Sequence, residues 1–351
     1  MTRADLREQI KDLGIDAFLF TDPINIRYLS GFTGTSSMVL MTVKKQYLLV
    51  DSRYLTEAKT LINDYEIVPI QGSRTLYNLL LINGVRQLGF ESLHLTFDQY
   101  DFMDEHYGGV KLIPIKHLIM AHRRIKTSKE METIRIAAQI AESVFEEILN
   151  FIKIGQSERA ISHEIERLMR SRGAENASFK TIVASGARSA LPHGVASDKI
   201  IEDGDFLTLD YGCIYNGYCS DITRTVVVGS ASEKQRRLYD LVWQSQAKTI
   251  AAIKPELECA RLDAIARDFF KEKGYGAYFS HGLGHGIGLE VHEFPRITED
   301  SFDVIKSGMA LALEPGVYIE HYGGVRIEDM VLVTVDGYER LTKAPEHLIE
   351  I

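Results

Sequence analysis

Hydrophobic and polar residues along the first 120 or so positions form two alternating patterns. Short apolar runs typical of strands alternate with segments whose apolar residues recur every three or four positions, as in helices. The predicted strands are Asp16–Thr21, Met38–Val43, Gln46–Asp51, Glu66–Ile70, Gln87–Glu91 and Lys111–Ile115. The predicted helices are Thr2–Leu13, Tyr54–Asn63, Thr75–Ile82 and Phe97–His106. This order favours a small α/β domain with a mixed sheet.

The pattern changes after residue 122. Thr127 and Glu130 stand three positions apart, as in the capping box that opens a helix. The apolar residues that follow, between Ile134 and Ile148, recur at helical spacing and form one stripe. We therefore predict a domain over residues 1–122 and a second domain over residues 123–351.

The second domain contains the same order of elements twice. Each round has two helices followed by glycine-rich or β-patterned sequence. The predicted helices after the first one are Glu158–Ser171, Glu233–Ile253 and Arg261–Lys273. This repetition favours an α+β domain with pseudo-duplicated halves.

Composition and charge narrow the class of protein. The 351 residues are 45% hydrophobic and 25% charged, as in an ordinary globular chain. The formal charge of −9 argues against nucleic acid and anionic membranes as partners. No apolar run approaches the roughly 20 residues that span a bilayer, the charged start lacks the apolar core of a signal peptide, and three cysteines are too few for a disulfide framework. A cytoplasmic protein is expected.

The first candidate site is a pair of aspartates in a predicted hairpin. Asn216-Gly217 is a strong two-residue turn, and its register places Asp210 opposite Thr223. Asp221 then lies diagonally from Asp210 on the same face, at roughly 7–8 Å, so both carboxylates can reach one ion. Alternatively, the two acids are solvated at a wet hairpin end or pair with Arg224.

A glycine-rich stretch, residues 281–293, supplies imidazoles. His281, His285 and His292 stand there among alternating glycines, which allow the backbone to approach a site closely. The stretch is not an HExxH helix, because Arg296 stands where the second histidine would be. Three histidines at this spacing favour a metal or acid–base site over structural roles.

Two glutamates end otherwise apolar runs, and a buried glutamate is rare without a partner. Together with the aspartates and one histidine they form a set of four carboxylates and one imidazole: Asp210, Asp221, His285, Glu314 and Glu328. Such ligands suit manganese, cobalt(II), iron(II) or zinc. Two divalent ions balance four carboxylates, which predicts a two-metal hydrolytic site that holds a hydroxide between the ions.

Five motifs carry a family resemblance. They are LPHG (191–194), DYG…SDITRT (210–225), HGLGHGIGLEVHE (281–293), EPGVY (314–318) and GVRIED (324–329). They resemble the pita-bread metallopeptidases, which include methionine aminopeptidase, aminopeptidase P and prolidase, with creatinase as a related non-peptidase. The resemblance implies a pita-bread catalytic domain at 123–351 and a creatinase-like α/β domain at 1–122.

The resemblance also implies roles for the ligand residues. Asp210 would chelate one metal, His285 and Glu314 the other, and Asp221 and Glu328 would bridge the pair. Manganese is the expected metal, with cobalt or zinc as alternatives.

Further roles are implied by the same resemblance. Glu314 would be the general base, and His193 and His292 would contact the substrate around the scissile bond and stabilise the tetrahedral intermediate. His281 would line the proline pocket, and Arg326 would support the site from beside Glu328.

Within the family the motifs imply cleavage of a Xaa-Pro peptide by a homodimer. A dipeptidase needs a cation for the free carboxylate after proline, and the segment 30–37, SGFTGTSS, has none, although Arg27 and Arg53 are near. We therefore expect an Xaa-Pro aminopeptidase (aminopeptidase P), with an Xaa-Pro dipeptidase (prolidase) as the alternative. A non-catalytic binding module on this fold is the competing class, and metal content would separate it from the enzymes.

Overall fold

The computed structural model describes residues 3–351 and divides into two compact units, one ending at Arg123 and the other spanning Arg124–Ile351. In this part of the chain no helix combines the length and the apolar character that crossing a membrane requires.

The N-terminal unit is a mixed six-stranded sheet flanked by helices. Its strands are β1 (Ala17–Phe20), β2 (Ser37–Thr42), β3 (Gln46–Val50), β4 (Glu66–Pro69), β5 (Gln87–Glu91) and β6 (Lys111–Ile115). Its helices are α1 (Arg3–Asp12), α2 (Pro23–Ser30), α3 (Leu55–Leu61), α4 (Thr75–Ile82), α5 (Phe97–His106) and α6 (Met120–Arg123). The strand order is β4-β3-β2-β1-β5-β6, with β2 antiparallel to both neighbours and the other pairs parallel. All the predicted strands and helices are present, and Thr2 lies outside the described residues.

Helix α2 was not predicted, although its ends carry local signals. The Asp22 side chain accepts a hydrogen bond from the amide of Ile24, and Pro23 occupies the first helical position. Gly31 ends the helix with a φ of 77°, a left-handed conformation that favours glycine.

The C-terminal unit, Arg124–Ile351, contains four long helices and a series of short strands; it is called the catalytic unit below, after the domain that the resemblance implies. The helices are α7 (Ser128–Phe151), α8 (Glu158–Ser171), α9 (Glu233–Ala251) and α10 (Cys259–Glu272). The strands of its first half are β7 (Asn176–Ala177), β8 (Ile182–Ser185), β9 (Phe206–Tyr211), β10 (Cys213–Tyr215), β11 (Tyr218–Cys219) and β12 (Ile222–Val227). Those of its second half are β13 (Gly284–Gly286), β14 (Glu293–Ile297), β15 (Ala310–Leu313), β16 (Gly316–Ile319), β17 (Gly323–Arg326), β18 (Asp329–Val333) and β19 (Tyr338–Arg340).

Each half of this unit buries its own pair of helices against strands, which confirms the pseudo-duplicated α+β prediction. One core joins α7 and α8 to β8, β9 and β12. A second core joins α9 and α10 to β15, β16, β17 and β18. The predicted capping box of α7 is present, with Thr127 and Glu130 bonded reciprocally.

The hairpin between Asp210 and Asp221 folds as its turn residues predict. Asn216 and Gly217 have φ values of 46° and 80°, as a type I′ turn requires, and Asp210 pairs with Thr223. An isolated bridge between Thr223 and Glu328 then joins the two halves of the unit. It brings the junction of β17 and β18 beside β12, where the candidate ligands meet.

Candidate metal centre

A cavity of about 400 Å³ in the catalytic unit is the candidate site. Its lining includes every residue for which a catalytic, substrate or metal role was predicted: His193, Asp210, Asp221, His281, His285, His292, Glu314, Arg326 and Glu328. These residues are distant in sequence, so the pairing of the strands brings them together.

Three of the candidate ligands form the tightest group. Asp221 precedes β12, His285 is the middle residue of β13, and Glu328 lies between β17 and β18. Each offers a ligand atom within 4.8 Å of the others, and all three side chains are buried. His285 Nε2 is 3.7 Å from Asp221 Oδ2, a separation that leaves space for an ion between them.

Asp210 and Glu314 complete the predicted ligand set. Asp210, in β9, accepts a hydrogen bond from Arg326 Nη2 at 2.5 Å. Glu314 follows β15, and its Oε1 lies 3.7 Å from His285 Nε2. The alternative that Arg224 pairs with the aspartates of the hairpin is wrong, since Arg224 contacts Asp329 and Glu142 instead.

Burial raises the pKa of all four candidate carboxylate ligands. Burial, followed by repulsion from the neighbouring carboxylates, raises the pKa of Asp221 and of Glu328 well above the usual range. Burial also raises the pKa of Glu314, to about 7, and that of Asp210 despite the guanidinium of Arg326 beside it. The guanidinium of Arg326 is therefore not enough positive charge to keep all four carboxylates ionised.

Two carboxylate oxygens without hydrogen-bond partners within residues 3–351 also indicate that the site needs additional positive charge. Asp221 Oδ1 and Glu328 Oε1 are buried and have no hydrogen-bond partner among the described residues. Buried carboxylate oxygens require a donor or a cation, so the residues present fit divalent metal ions.

His285 has the protonation state of a metal ligand. Its Nδ1 lies 3.1 Å from the Gly286 carbonyl oxygen, which can only accept, so the ring hydrogen is on Nδ1. Burial, followed by the neighbouring His292, lowers the pKa of His285 to about 3. The ring is therefore neutral, with the Nε2 lone pair facing the carboxylates.

His281 belongs to a hydrogen-bonded chain that ends at Asp210. Its Nδ1 donates to the Gly282 carbonyl at 2.7 Å, so Nε2 accepts from the Tyr318 hydroxyl at 2.8 Å. The hydroxyl oxygen in turn accepts from Arg326 Nη1 at 2.9 Å. Burial lowers the pKa of His281 to about 4. Tyr318 was missed as a site residue, although it ends the EPGVY motif.

The two remaining histidines lie at the exposed side of the cavity. His292 packs edge-on against His285, with ring centroids 4.4 Å apart, and burial lowers its pKa. The residue after it, Glu293, forms a fully buried ion pair with Lys126. His193 lies in the loop after β8 and is exposed.

Two cations in the cavity lining were also missed. Lys180 and Arg296 are exposed, and within residues 3–351 neither forms an ion pair. In the sequence, Arg296 is the residue that breaks an HExxH motif. Its position four residues after His292, on the same strand as Glu293, was the available signal.

Comparison with known proteins agrees with this geometry. Residues 132–335 match Metallopeptidase family M24, and residues 3–125 match the Creatinase/Prolidase N-terminal domain. An Xaa-Pro dipeptidase of Pyrococcus furiosus is 41% identical over 343 residues, which cover 95% of each chain.

Solved structures give the same result for the whole chain. The Xaa-Pro dipeptidase from Bacillus anthracis superposes with a TM-score of 0.96 and 45% identity, covering 99% of this chain and 98% of that one. An X-Pro aminopeptidase from Thermotoga maritima superposes with a TM-score of 0.92 and 36% identity over the full length of both chains. The chain belongs to metallopeptidase family M24 and carries the creatinase/prolidase N-terminal domain of its two-domain members.

Proposed function

We propose that this metallopeptidase is an Xaa-Pro dipeptidase, which was the alternative at the sequence level. The observation that supports it most is Arg296, an exposed cation without an ion-pair partner in the described chain, in the same cavity as the candidate metal ligands. The named dipeptidases among the similar proteins support the same choice. The preference for an aminopeptidase rested on the uncharged segment 30–37, whereas Arg296 comes from the catalytic unit.

The metal ligands in this proposal are those assigned from the resemblance. Asp210 would hold one ion, His285 and Glu314 the other, and Asp221 and Glu328 would bridge them. The two unpartnered oxygens of Asp221 and Glu328 support bridging. Two divalent ions balance four carboxylates, and manganese is the expected metal, with cobalt or zinc as alternatives. When bound, such ions lower the pKa of water and polarise a carbonyl group.

The remaining side chains would bind and orient the peptide. Glu314 is the candidate general base, because its side chain is 24% exposed and lines the cavity. His193 and His292 would donate to the developing negative charge around the scissile bond. His281 already uses both ring nitrogens, so it would offer its ring face to the proline. Arg326 would hold Asp210 in place.

Arg296 would pair with the free carboxylate of the proline in a dipeptide. Desolvating a carboxylate requires a fixed cation or several hydrogen bonds. Arg326 is not available for this purpose, because Asp210 and Tyr318 occupy it. Lys180 is a second cation in the lining.

The second candidate function is an Xaa-Pro aminopeptidase. The full-length similarity to the Thermotoga maritima X-Pro aminopeptidase favours it, as does the uncharged segment 30–37. The two enzymes would share the metal site. Their substrates would differ in the group that follows proline, which is a free carboxylate for the dipeptidase and a peptide bond for the aminopeptidase.

A cleavage assay with added manganese tests the proposal. Xaa-Pro dipeptides, the same dipeptides as C-terminal amides, and Xaa-Pro-Yaa tripeptides are compared. We expect the highest kcat/KM on the free dipeptides, and Arg296→Gln should lower it by about 10- to 100-fold on these substrates while leaving the amides unchanged. The exposed Arg261 lies outside the cavity lining, so Arg261→Gln is the matched control. Better cleavage of tripeptides, with no effect of Arg296→Gln, would support the aminopeptidase instead.

Metal content tests the site separately. We expect about two manganese ions per chain, and Asp221→Asn or Glu328→Gln should lose both ions or nearly all activity, because a bridging ligand serves both. Elemental analysis that finds no bound transition metal after reconstitution would refute the dinuclear site.

A further inference from the structure

The loop that carries His193 has an anchor outside the cavity. The loop leaves β8 at Ser185 and runs to Ser197, and His193 within it is exposed. In the described structure the His193 ring forms neither a hydrogen bond nor an ion pair. Its position in the cavity therefore depends on the conformation of the loop backbone.

Both ends of this loop bind one buried carboxylate, that of Glu158. Its Oε1 accepts from the amide and the hydroxyl of Ser185 at 2.8 and 2.9 Å. Its Oε2 accepts from the amide and the hydroxyl of Ser197 at 3.0 and 2.6 Å. Glu158 begins helix α8, and its side chain is 0% exposed. A single side chain thus links the start and the end of the loop.

Arg188 connects the same carboxylate to the backbone beside His193. Its Nη1 donates to Glu158 Oε2, and its Nη2 donates to the carbonyl oxygen of Val195 at 2.9 Å. Val195 is two residues from His193, whose carbonyl accepts from the Val195 amide at 2.8 Å. The guanidinium therefore braces the segment that presents the imidazole.

Glu158 is held as an anion. Burial alone would raise its pKa, but the donors from Ser197, Ser185 and Arg188 outweigh burial and keep the pKa below the usual range. Because an anionic carboxylate has no hydrogen to donate, both Glu158 oxygens act as acceptors in all of these hydrogen bonds. Glu158 is not among the residues that line the cavity, so it acts on the site only through the loop.

We infer that Glu158 is a positioning residue for His193, acting with Arg188 and Ser197 to hold the loop in the conformation that presents the imidazole to the substrate. This inference rests on the proposed function, in which His193 contacts the substrate. A misplacement of about 1 Å at a reacting group can cost on the order of 100-fold in rate, so an anchor outside the cavity can affect turnover.

A double-mutant cycle tests the inference in the manganese-loaded protein with an Xaa-Pro dipeptide. Glu158→Gln keeps the shape but replaces one accepting oxygen with an amide donor, and it should lower kcat by about 10- to 100-fold. Ser197→Ala removes one donor and should have a smaller effect in the same direction, which keeps the test usable if Glu158→Gln does not fold. In a His193→Ala background neither change should lower kcat further, within about twofold.

The matched control is Glu91→Gln in the N-terminal unit. Glu91 is also a buried carboxylate, and it accepts from the amides of Thr21 and Asp22. Its effect on kcat, if any, should combine with that of His193→Ala multiplicatively. A role of Glu158 in stability alone would predict the same multiplicative behaviour for Glu158→Gln.

Hydrogen exchange provides a readout that does not need activity. Backbone amides of residues 186–196 should exchange faster in Glu158→Gln and Ser197→Ala than in the unmodified protein. In Glu91→Gln their exchange rates should be unchanged. Multiplicative effects in the cycle, or unchanged exchange in Glu158→Gln, would overturn the inference. If the unmodified protein cleaves no Xaa-Pro peptide, the proposed function and the catalytic role of the loop are overturned instead. Hydrogen exchange would then still decide whether Glu158 holds the loop.

Discussion

Replacing Lys126 with methionine should strongly destabilise the catalytic unit. Lys126 Nζ donates to Glu293 Oε2 at 3.0 Å, and both side chains are 1% exposed. The other oxygen of Glu293 accepts from the amides of Leu289 and Glu290 at 2.9 and 3.3 Å. Methionine fills a similar volume, so the loss of the cation is the main change.

The magnitude is set by burial. Removing one partner of a buried ion pair leaves an uncompensated charge and costs about 3–5 kcal/mol. With a urea dependence of about 2–3 kcal/mol per molar, the unfolding midpoint should fall by about 1–2.5 M. Turnover should fall as well, because Glu293 holds the segment next to His292.

Urea unfolding followed by tryptophan fluorescence measures this in the correct unit. The chain has a single tryptophan, Trp243, which packs against the core of α9 and α10. The matched control is Lys271→Met, which breaks an exposed pair with Asp268 and should cost less than about 1 kcal/mol.

A double variant provides the decisive comparison. Adding Glu293→Gln to Lys126→Met removes the unpaired charge, so the double variant should be more stable than Lys126→Met alone. The reasoning is refuted if Lys126→Met costs no more than Lys271→Met, or if the second substitution adds a further loss of similar size.

Three further predictions concern single groups. His292→Ala should reduce turnover by about 10²–10³-fold with bound metal unchanged, whereas His285→Ala should lower the metal content measured by elemental analysis. Burial lowers the pKa of His122 below 6.5, so its contribution to stability is fully present above pH 6.5 and is lost as the pH falls through the folded-state pKa; urea midpoints at several pH values should show that His122→Gln removes this loss. Burial raises the pKa of Cys213 to about 11 and that of Cys259 to about 12, so a thiol reagent should not react with them in the native protein and should react fully in denaturant.

Local interactions explain the features that were predicted correctly from the sequence. The Asn216-Gly217 turn sets the register of its hairpin, because both residues must take positive φ values. That register alone placed Asp210 opposite Thr223. The capping box at Thr127 and the apolar stripe of α7 are likewise contained within a few turns of one helix.

The position of Arg296 shows what local reasoning misses. Segment 30–37 was judged by its own residues, and it contains no cation that could bind a carboxylate. Arg296 lies more than 250 positions further along the chain, yet it lines the same cavity as the candidate ligands. Proximity in space between distant residues could not be read from either segment.

The amino-acid sequence predicts the residue types of the metal site and the elements that carry them, because turn chemistry and periodicity act over short distances. It does not predict the distances between those residues. Asp221, His285 and Glu328 come within 4.8 Å of one another because β12, β13 and the β17–β18 junction pack together across the two halves of the unit. That packing also removes water from the four carboxylates and raises their pKa values, and burial on this scale is a property of the assembled core rather than of any one segment.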